Sequence, residues 1–416
     1  MSKVIRPLSR GMRGVCRRSF LAVAVVTAFS STLCAAANLY EPDAEYPRGA
    51  VVLAADGNEY RTLETVKGKD PIAAKSGPWR LAHAAFDTTL DVPGRFATIA
   101  DALQFLADAS IADTATVIVQ LAPGKYELNR ALRIGHSQGR RVIIKGGKDP
   151  AKCVLIAGNH DGLVIDAGTA ITVDGLTLEG LTSTHQGVSV TERSTVNLRR
   201  LVIRGFKKGV SVGRGSHLEA DDVDVIAKSG DAGFHAFAGS SCRLNRCSAT
   251  LEATKQTSDV SMGFASWFSS TMECHGCRAS GWHDGFFAGH TASIDLDDCE
   301  STQNTFGGVA YLGSTLRANG CTFAENTELG LNVHQATGLI VNCRLLGNDA
   351  IGLRCYGGSL VEFRDRPTEV AESKIGVQSI AGGMFAGLPP TLRKCDRGRD
   401  VYQYRSGDDA VFQFDK

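Results

Sequence analysis

Proline is scarce in this chain, 11 residues in 416, against 46 glycines. Glycine in that excess marks many tight corners between short extended segments and leaves little room for long helices. A surplus of one charge is missing as well: 45 Lys and Arg stand against 44 Asp and Glu, so the chain lacks the basic footprint that non-specific nucleic-acid binding needs. No apolar run reaches the roughly 20 residues of a helical membrane span. With 43% hydrophobic and 21% charged residues, the chain is too apolar to be disordered and is long enough for one large core or two domains. A folded, soluble protein is expected.

Residues 1–37 read as an export signal. MSKVIRPLSRGMRGVCRR holds six basic residues and no acid, FLAVAVVTAFSSTLCAAA follows as a short apolar stretch, and Ala35 and Ala37 fit a small-residue cleavage site. RRSFL (Arg17 to Leu21) resembles the twin-arginine signal that carries folded proteins across the bacterial inner membrane. The expectation is a periplasmic or secreted protein with no transmembrane segment once the signal is removed. Without its six basic residues the mature chain keeps 39 basic against 44 acidic, about −5.

Residues 38–84 hold short β-type runs, Ala50 to Leu53, Glu59 to Leu63 and Trp79 to Ala82, separated by DGN, GKDP and SGP turn signals. A compact three-stranded module is expected. Tyr46, Gly49, Val52, Gly57 with Tyr60, Gly68 with Pro71, and Trp79 resemble the pattern of small chitin- and cellulose-binding modules. That resemblance implies sugar stacking by Tyr60 and Trp79; the alternative is that both rings form the core of so small a sheet.

From Phe96 the pattern changes. FATIADALQFLADAS places apolar residues at 96, 99, 102, 103, 106 and 109, the helical spacing, and strands broken at PG and QGR follow. The segment then repeats itself. A glycine opens each of GLVID (162), GVSVT (187), GVSVG (209), GFHAF (233), GFASW (263), GFFAG (285), GVAYL (308), GLNVH (330) and GLRCY (352), at spacings of 25, 22, 24, 30, 22, 23, 22 and 22. Such self-similarity is the signature of a solenoid. The helix and repeats resemble the pectin-lyase-like proteins, a single-stranded right-handed parallel β-helix whose open end is plugged by an amino-terminal helix. An all-β solenoid is therefore expected over 90–380, with 381–416, which fits the repeat poorly, as a carboxy-terminal cap of paired strands.

Ten of the 12 cysteines lie outside the leader. Cys247, Cys277, Cys299, Cys321 and Cys343 recur at 30, 22, 22 and 22, which predicts one inward ladder of thiols. CHGC (Cys274 to Cys277) has the spacing of a zinc or redox pair, but both thiols share inward positions with Leu244 and Leu296. Small buried hydrophobes are the better account. Folding in a reducing cytoplasm before export would suit them.

Alternation along a strand sends residues one and three after each glycine into the bore and residues two and four outward. The early outward positions are plain: Val164 and Asp166, Ser189 and Thr191, Ser211 and Gly213. Later ones are not: His235 and Phe237, Ala265 and Trp267, Phe287 and Gly289, Ala310 and Leu312, Asn332 and His334, Arg354 and Tyr356, with His283, Asp284 and His290 beside them. The stretch GWHDGFFAGH (281–290) is expected to give Phe286 to the core and the rest to this surface. An exposed row of rings and imidazoles suits the alternating apolar and hydroxyl faces of a sugar chain; the alternative is that the turn 252–262 or the carboxy-terminal segment covers it.

Proton abstraction beside a uronate carboxylate needs a group that neutralises the carboxylate, a base and often an acid. His283, His235 and His334 are the candidate bases or acids, Arg354 or Lys208 would hold the carboxylate, and Asp284 would orient an imidazole. Trp267, Phe237, Phe287, His290, Asn332 and Tyr356 are the candidate substrate contacts. The strip offers no outward acidic pair for glycoside hydrolysis. It offers no calcium cluster either, since only Asp166 lies on the face, and no cofactor is called for. The pectin-lyase-like resemblance implies polysaccharide chemistry, but RxPxxR of pectate lyases and the NTD, DD and GHG set of polygalacturonases are missing. HDG at 283–285 is only faintly similar to DPHD of alginate epimerases. The expected function is an exported lyase or C5-epimerase on an acidic glycan, with a non-catalytic glycan-binding or adhesin-like envelope protein as the alternative.

Overall fold

The computed structural model describes residues 38–73, 77–181, 184–252, 260–402 and 411–414. The expected leader, and residues 253–259 of the turn expected to cover the strip, lie outside them.

In the repeating part of the chain each strand pairs in parallel with its counterpart one coil further on. Twelve strands, from Leu132–Ile134 to Arg397–Tyr402, stack into one sheet, and the other strands of the coils join a sheet of 24. The result is a right-handed parallel β-helix, the hand that parallel crossovers favour. Inward positions fill its bore with a continuous core. Phe234, Phe264 and Phe286 stack along the axis at 5.0 and 4.9 Å between centroids. The register glycines exist because successive coils touch there: a Cβ on Gly307 would lie 2.5 Å from the Gly330 carbonyl oxygen and 2.8 Å from Asn326 Nδ2.

One coil departs from the expected register. Phe286 pairs with Gly308 and Phe287 with Val309, so the corner glycine is Gly307 and Gly308 occupies an inward position. Ala310 is therefore buried in the bore, Leu312 lies in the following turn, and the outward residues of that coil are Val309 and Tyr311. A slip of one residue exchanges the two faces.

A helix, Ile99–Leu106, starts at Thr98 with a reciprocal capping box to Asp101 and buries Ile99, Ala102, Phe105 and Leu106. Ahead of it three strands, Val51–Leu53, Glu59–Thr62 and Trp79–Ala84, pair antiparallel. Their core runs unbroken into the helix and the first coils. Tyr60 and Trp79 are both 0% exposed, so neither can stack on a sugar, and both rings belong to the core. At the other end, Ile375–Ile380 pairs in parallel with Arg397–Tyr402, and Met384–Gly387 with Val411–Phe414. The segment expected as a cap thus carries further rungs of the helix.

The cysteine ladder is inward, and every cysteine outside the leader is a free thiol. Cys277, Cys299, Cys321 and Cys343 each donate to a carbonyl one coil back, at 3.3 to 3.4 Å. Cys274 sits in register between Leu244 and Leu296. Burial, against the opposing pull of backbone hydrogen bonds, pushes the Cys355 thiol up to about 12, so that thiol stays protonated and inert.

A second inward ladder escaped the sequence reading. Asn304, Asn326 and Asn348 are fully buried; Asn326 Nδ2 donates to Asn348 Oδ1 at 2.9 Å, and Asn326 Oδ1 accepts from Asn304 N at 3.1 Å. Trp282 belongs to this column: its backbone N–H donates to Asn304 Oδ1 and its Nε1 to the Ala249 carbonyl, both at 2.9 Å. It is therefore core, not the surface residue expected. Asn326→Leu strands several buried partners and should cost about 2 to 4 kcal/mol, read as a lower urea midpoint at unchanged slope.

Candidate functional site

The outward face of the twelve-stranded sheet is built of three rows, because the residue before each corner glycine also points outward. Lys208, Ala232, Met262, Asp284 and Phe306 align in the first row. His235, Ala265, Phe287, Val309, Asn332 and Arg354 form the second, and Trp267, Gly289, Tyr311, His334 and Tyr356 run along the third. Met262, Ala265, Phe287 and Val309 make a small apolar cluster of their own, with Trp267, Phe306 and Tyr311 packed against it.

Rung spacing dictates what the rings do. Coils about 4.8 Å apart bring rings of neighbouring coils face to face. Trp267 stacks on Phe287 at 4.5 Å and on His290 at 5.2 Å, both from the next coil. Tyr311 meets His334 at 5.0 Å, and His334 stacks on Tyr356 at 3.9 Å and 12°. Phe287 is consequently a floor beneath Trp267, only 7% exposed, and not the sugar contact expected. Asn332 is also buried; its Oδ1 accepts from Arg354 Nε at 3.2 Å, so it holds the arginine.

At one end lies a pocket of about 340 Å³ lined by Lys208, Asp231, His235, Phe237, Trp267 and Phe268, among others. Gly213 makes room for the Phe237 ring that lines it: a Cβ there would lie 2.3 Å from that ring. Lys208 Nζ is 3.4 Å from His235 Nδ1, and His235 stacks on Phe237 at 5.2 Å and 16°. Burial lowers the Lys208 amine below the usual lysine range. Burial, then the Lys208 charge, lowers His235 to about 3, which makes it a neutral hydrogen-bonding group and a poor proton shuttle near neutrality. Because an unfolded histidine near 6.5 binds a proton that the folded one refuses, stability should fall as pH drops from about 6.5 towards 3, by up to ~1.4 kcal/mol per pH unit. His235→Gln should flatten that acid limb in urea titrations.

At the other end, Arg354, His334 and Tyr356 come together on two neighbouring coils, with Tyr311 one coil before. The Arg354 guanidinium lies 5.1 Å from the Tyr356 ring centroid. Burial, then the Arg354 charge, lowers His334 from the usual histidine range.

Between the two ends stands the His283–Asp284 pair, Nδ1 to Oδ1 at 2.9 Å. Coils on both sides hold it: Ser261 Oγ accepts from His283 N, and the His283 carbonyl accepts from Phe306 N. Burial raises the Asp284 carboxyl, and the hydrogen bond from His283 opposes that rise. The pair lies three coils from Lys208 and three from Arg354, roughly 14 Å each way. Among the described residues of the three rows between His235 and Tyr356, Asp284 is the one acid, so the rows hold no facing carboxylates. Among the described residues no cluster of three His, Cys, Asp or Glu is arranged to hold a metal ion, and no helix is long and apolar enough to cross a membrane.

Sequence reasoning missed Tyr311, Phe306, Met262 and Phe268. The signal for Tyr311 was present: a strict 22-residue step from Gly285 lands on Gly307. Phe268, 55% exposed, follows the last regular strand position and so carries no periodic mark.

A profile for the Right handed beta helix region matches residues 262–366. Those coils carry most of the strip. No curated protein matches the sequence. Among solved structures, the mannuronan C-5 epimerase AlgE6 A-module of Azotobacter vinelandii is 13% identical, with 72% of this chain and 90% of that chain covered and a TM-score of 0.41. The periplasmic alginate epimerase AlgG is 11% identical, at 83% and 88% coverage and a TM-score of 0.42. The catalytic domain of a GH87 alpha-1,3-glucanase, solved with nigerose, is 14% identical, at 79% and 68% coverage and a TM-score of 0.39.

Proposed function

We propose that the strip binds an acidic polysaccharide and that the protein acts on it as a lyase or C5-epimerase, in the periplasm or outside the cell after export by the leader. The observation that carries this reading is the Arg354, His334 and Tyr356 cluster. Among the described residues Arg354 donates through Nε to Asn332, and its terminal nitrogens can take a carboxylate in bidentate fashion. Its charge makes the proton next to that carboxylate easier to remove. His334, kept neutral by burial and by Arg354, is then in the form that accepts a proton at neutral pH. The Tyr356 phenol, stacked on it, or that of Tyr311 can donate one.

In the lyase version His334 takes the C5 proton, the C4–O bond breaks as the C4–C5 double bond forms, and a phenol protonates the departing oxygen. In the epimerase version no bond to oxygen breaks, and a proton returns to C5 on the opposite face. The absence of facing carboxylates from the rows disfavours hydrolysis.

A binding protein without turnover is the second reading, favoured by the mutual stacking of the rings, which gives a rigid ladder suited to holding a chain. Incubating residues 38–416 with pectate, alginate, hyaluronan and chondroitin tests both. Ultraviolet absorbance of unsaturated uronate ends reports a lyase, and solvent-proton exchange at C5 reports an epimerase. Binding with neither signal would overturn the enzymatic reading.

A further inference from the structure

Several cations on the other faces are paired with acids one coil away. Arg243 pairs with Glu273 at 3.0 Å, Arg246 with Asp222 at 2.7 Å, and Arg200 with Asp174 at 2.6 Å. Even Lys207, next in sequence to the pocket lysine, pairs with Asp231 at 3.1 Å. Along the three rows from Lys208 to Tyr356 the lysine and arginine are Lys208 and Arg354, and neither has an acid within ion-pair distance among the described residues. Each stands beside a stacked imidazole and ring, His235 on Phe237 and His334 on Tyr356, so the same grouping occurs at both ends of the strip. Six parallel steps separate their strands, roughly 29 Å along the axis. The rings of Trp267, His290, Tyr311 and His334 bridge much of that interval.

We infer that the pocket around Lys208 is a second anion subsite, which takes one uronate of a chain whose distant uronate lies on Arg354. This inference rests on the proposed acidic-glycan reading and adds to it a minimum substrate length. The occupant is a polyuronate because the two open cations complement evenly spaced carboxylates. Phe237 and the exposed Phe268 wall the pocket for the apolar edge of one sugar. Holding the chain at two distant points makes the second contact intramolecular, so affinity gains without any new contact per sugar. The lowered Lys208 amine fits a site desolvated enough for one ion pair to count.

The test is calorimetric titration of the mature protein with oligogalacturonates and oligomannuronates graded from dimers upward, with neutral oligomaltosides of the same lengths as controls. Trp267 fluorescence reports occupancy of the pocket, since Trp79 and Trp282 are buried in the core. Affinity should rise abruptly once a uronate oligomer spans both cations. Lys208→Met should remove that step and weaken long oligomers by about tenfold to a hundredfold, leaving short ones nearly unchanged, and Lys208→Arg should restore it. A smooth length dependence that Lys208→Met leaves unaltered overturns the second subsite, as does equal binding of the neutral series. Failure of the functional reading looks different: the length step would persist while no unsaturated ends and no C5 exchange develop.

Discussion

Arg354→Ala and His334→Ala are each expected to lower kcat/KM on a polyuronate by about a hundredfold to ten-thousandfold, the range of a lost proton-transfer or charge-stabilising group. The loss should fall mainly on kcat for His334→Ala and on both constants for Arg354→Ala, because only the arginine also holds the ground-state carboxylate. The acid limb supplies a further check. His334 must be neutral to act as base, and burial with the Arg354 charge lowers it from 6.5. Activity should therefore survive below pH 6.5 and fall only once His334 becomes protonated. In Arg354→Met the residual activity should fall at a higher pH, because one of the two causes of the depression is gone. His283→Ala discriminates between centres. At roughly 14 Å from Arg354, His283 cannot serve the same sugar. A small effect of this change on kcat supports the Arg354 centre, whereas a loss as large as that of His334→Ala would move the chemistry to the His283–Asp284 pair.

Phe286→Ala is expected to destabilise the protein by about 3 to 5 kcal/mol. Phe286 is 0% exposed and continues the column of Phe234 and Phe264; its removal leaves a cavity that rigid coils pinned by their ladders cannot collapse to fill. Phe287→Ala, one residue on, empties only the small outer cluster under Trp267. It should cost less than half as much while disturbing the Trp267 ring. Urea unfolding of the two variants, with Trp267 fluorescence as a second readout, measures the contrast. Equal losses would mean that the outer cluster is as much a part of the cooperative core as the bore.

Much of this architecture is legible in residue spacing. Period-two alternation after Gly285 places Phe286 inward and Phe287 outward, and the cysteines at 22-residue steps fall in one inward ladder. Both follow because a parallel coil repeats its geometry at each turn, so sequence period and spatial register are the same quantity. Where two glycines adjoin, at Gly307 and Gly308, the mark is ambiguous, and the choice of the second hid Tyr311. Trp282 misled for another reason: an indole in a turn reads as surface until the asparagine ladder that accepts its backbone N–H is seen.

By itself, then, the sequence determined the coil, its inward and outward faces, the inert thiols and the concentration of rings and imidazoles on one face of the later coils. Spacing is local information, and a solenoid converts it directly into position. Only the tertiary structure decided which of those outward groups meet. It buried Tyr60 and Trp79, turned Phe287 and Asn332 into supports, and grouped Arg354 with His334 and Tyr356 while leaving His283 with Asp284 three coils away. Those outcomes depend on how side chains of adjacent coils stack, fill and desolvate one another at a separation of about 4.8 Å, which no count along the chain contains.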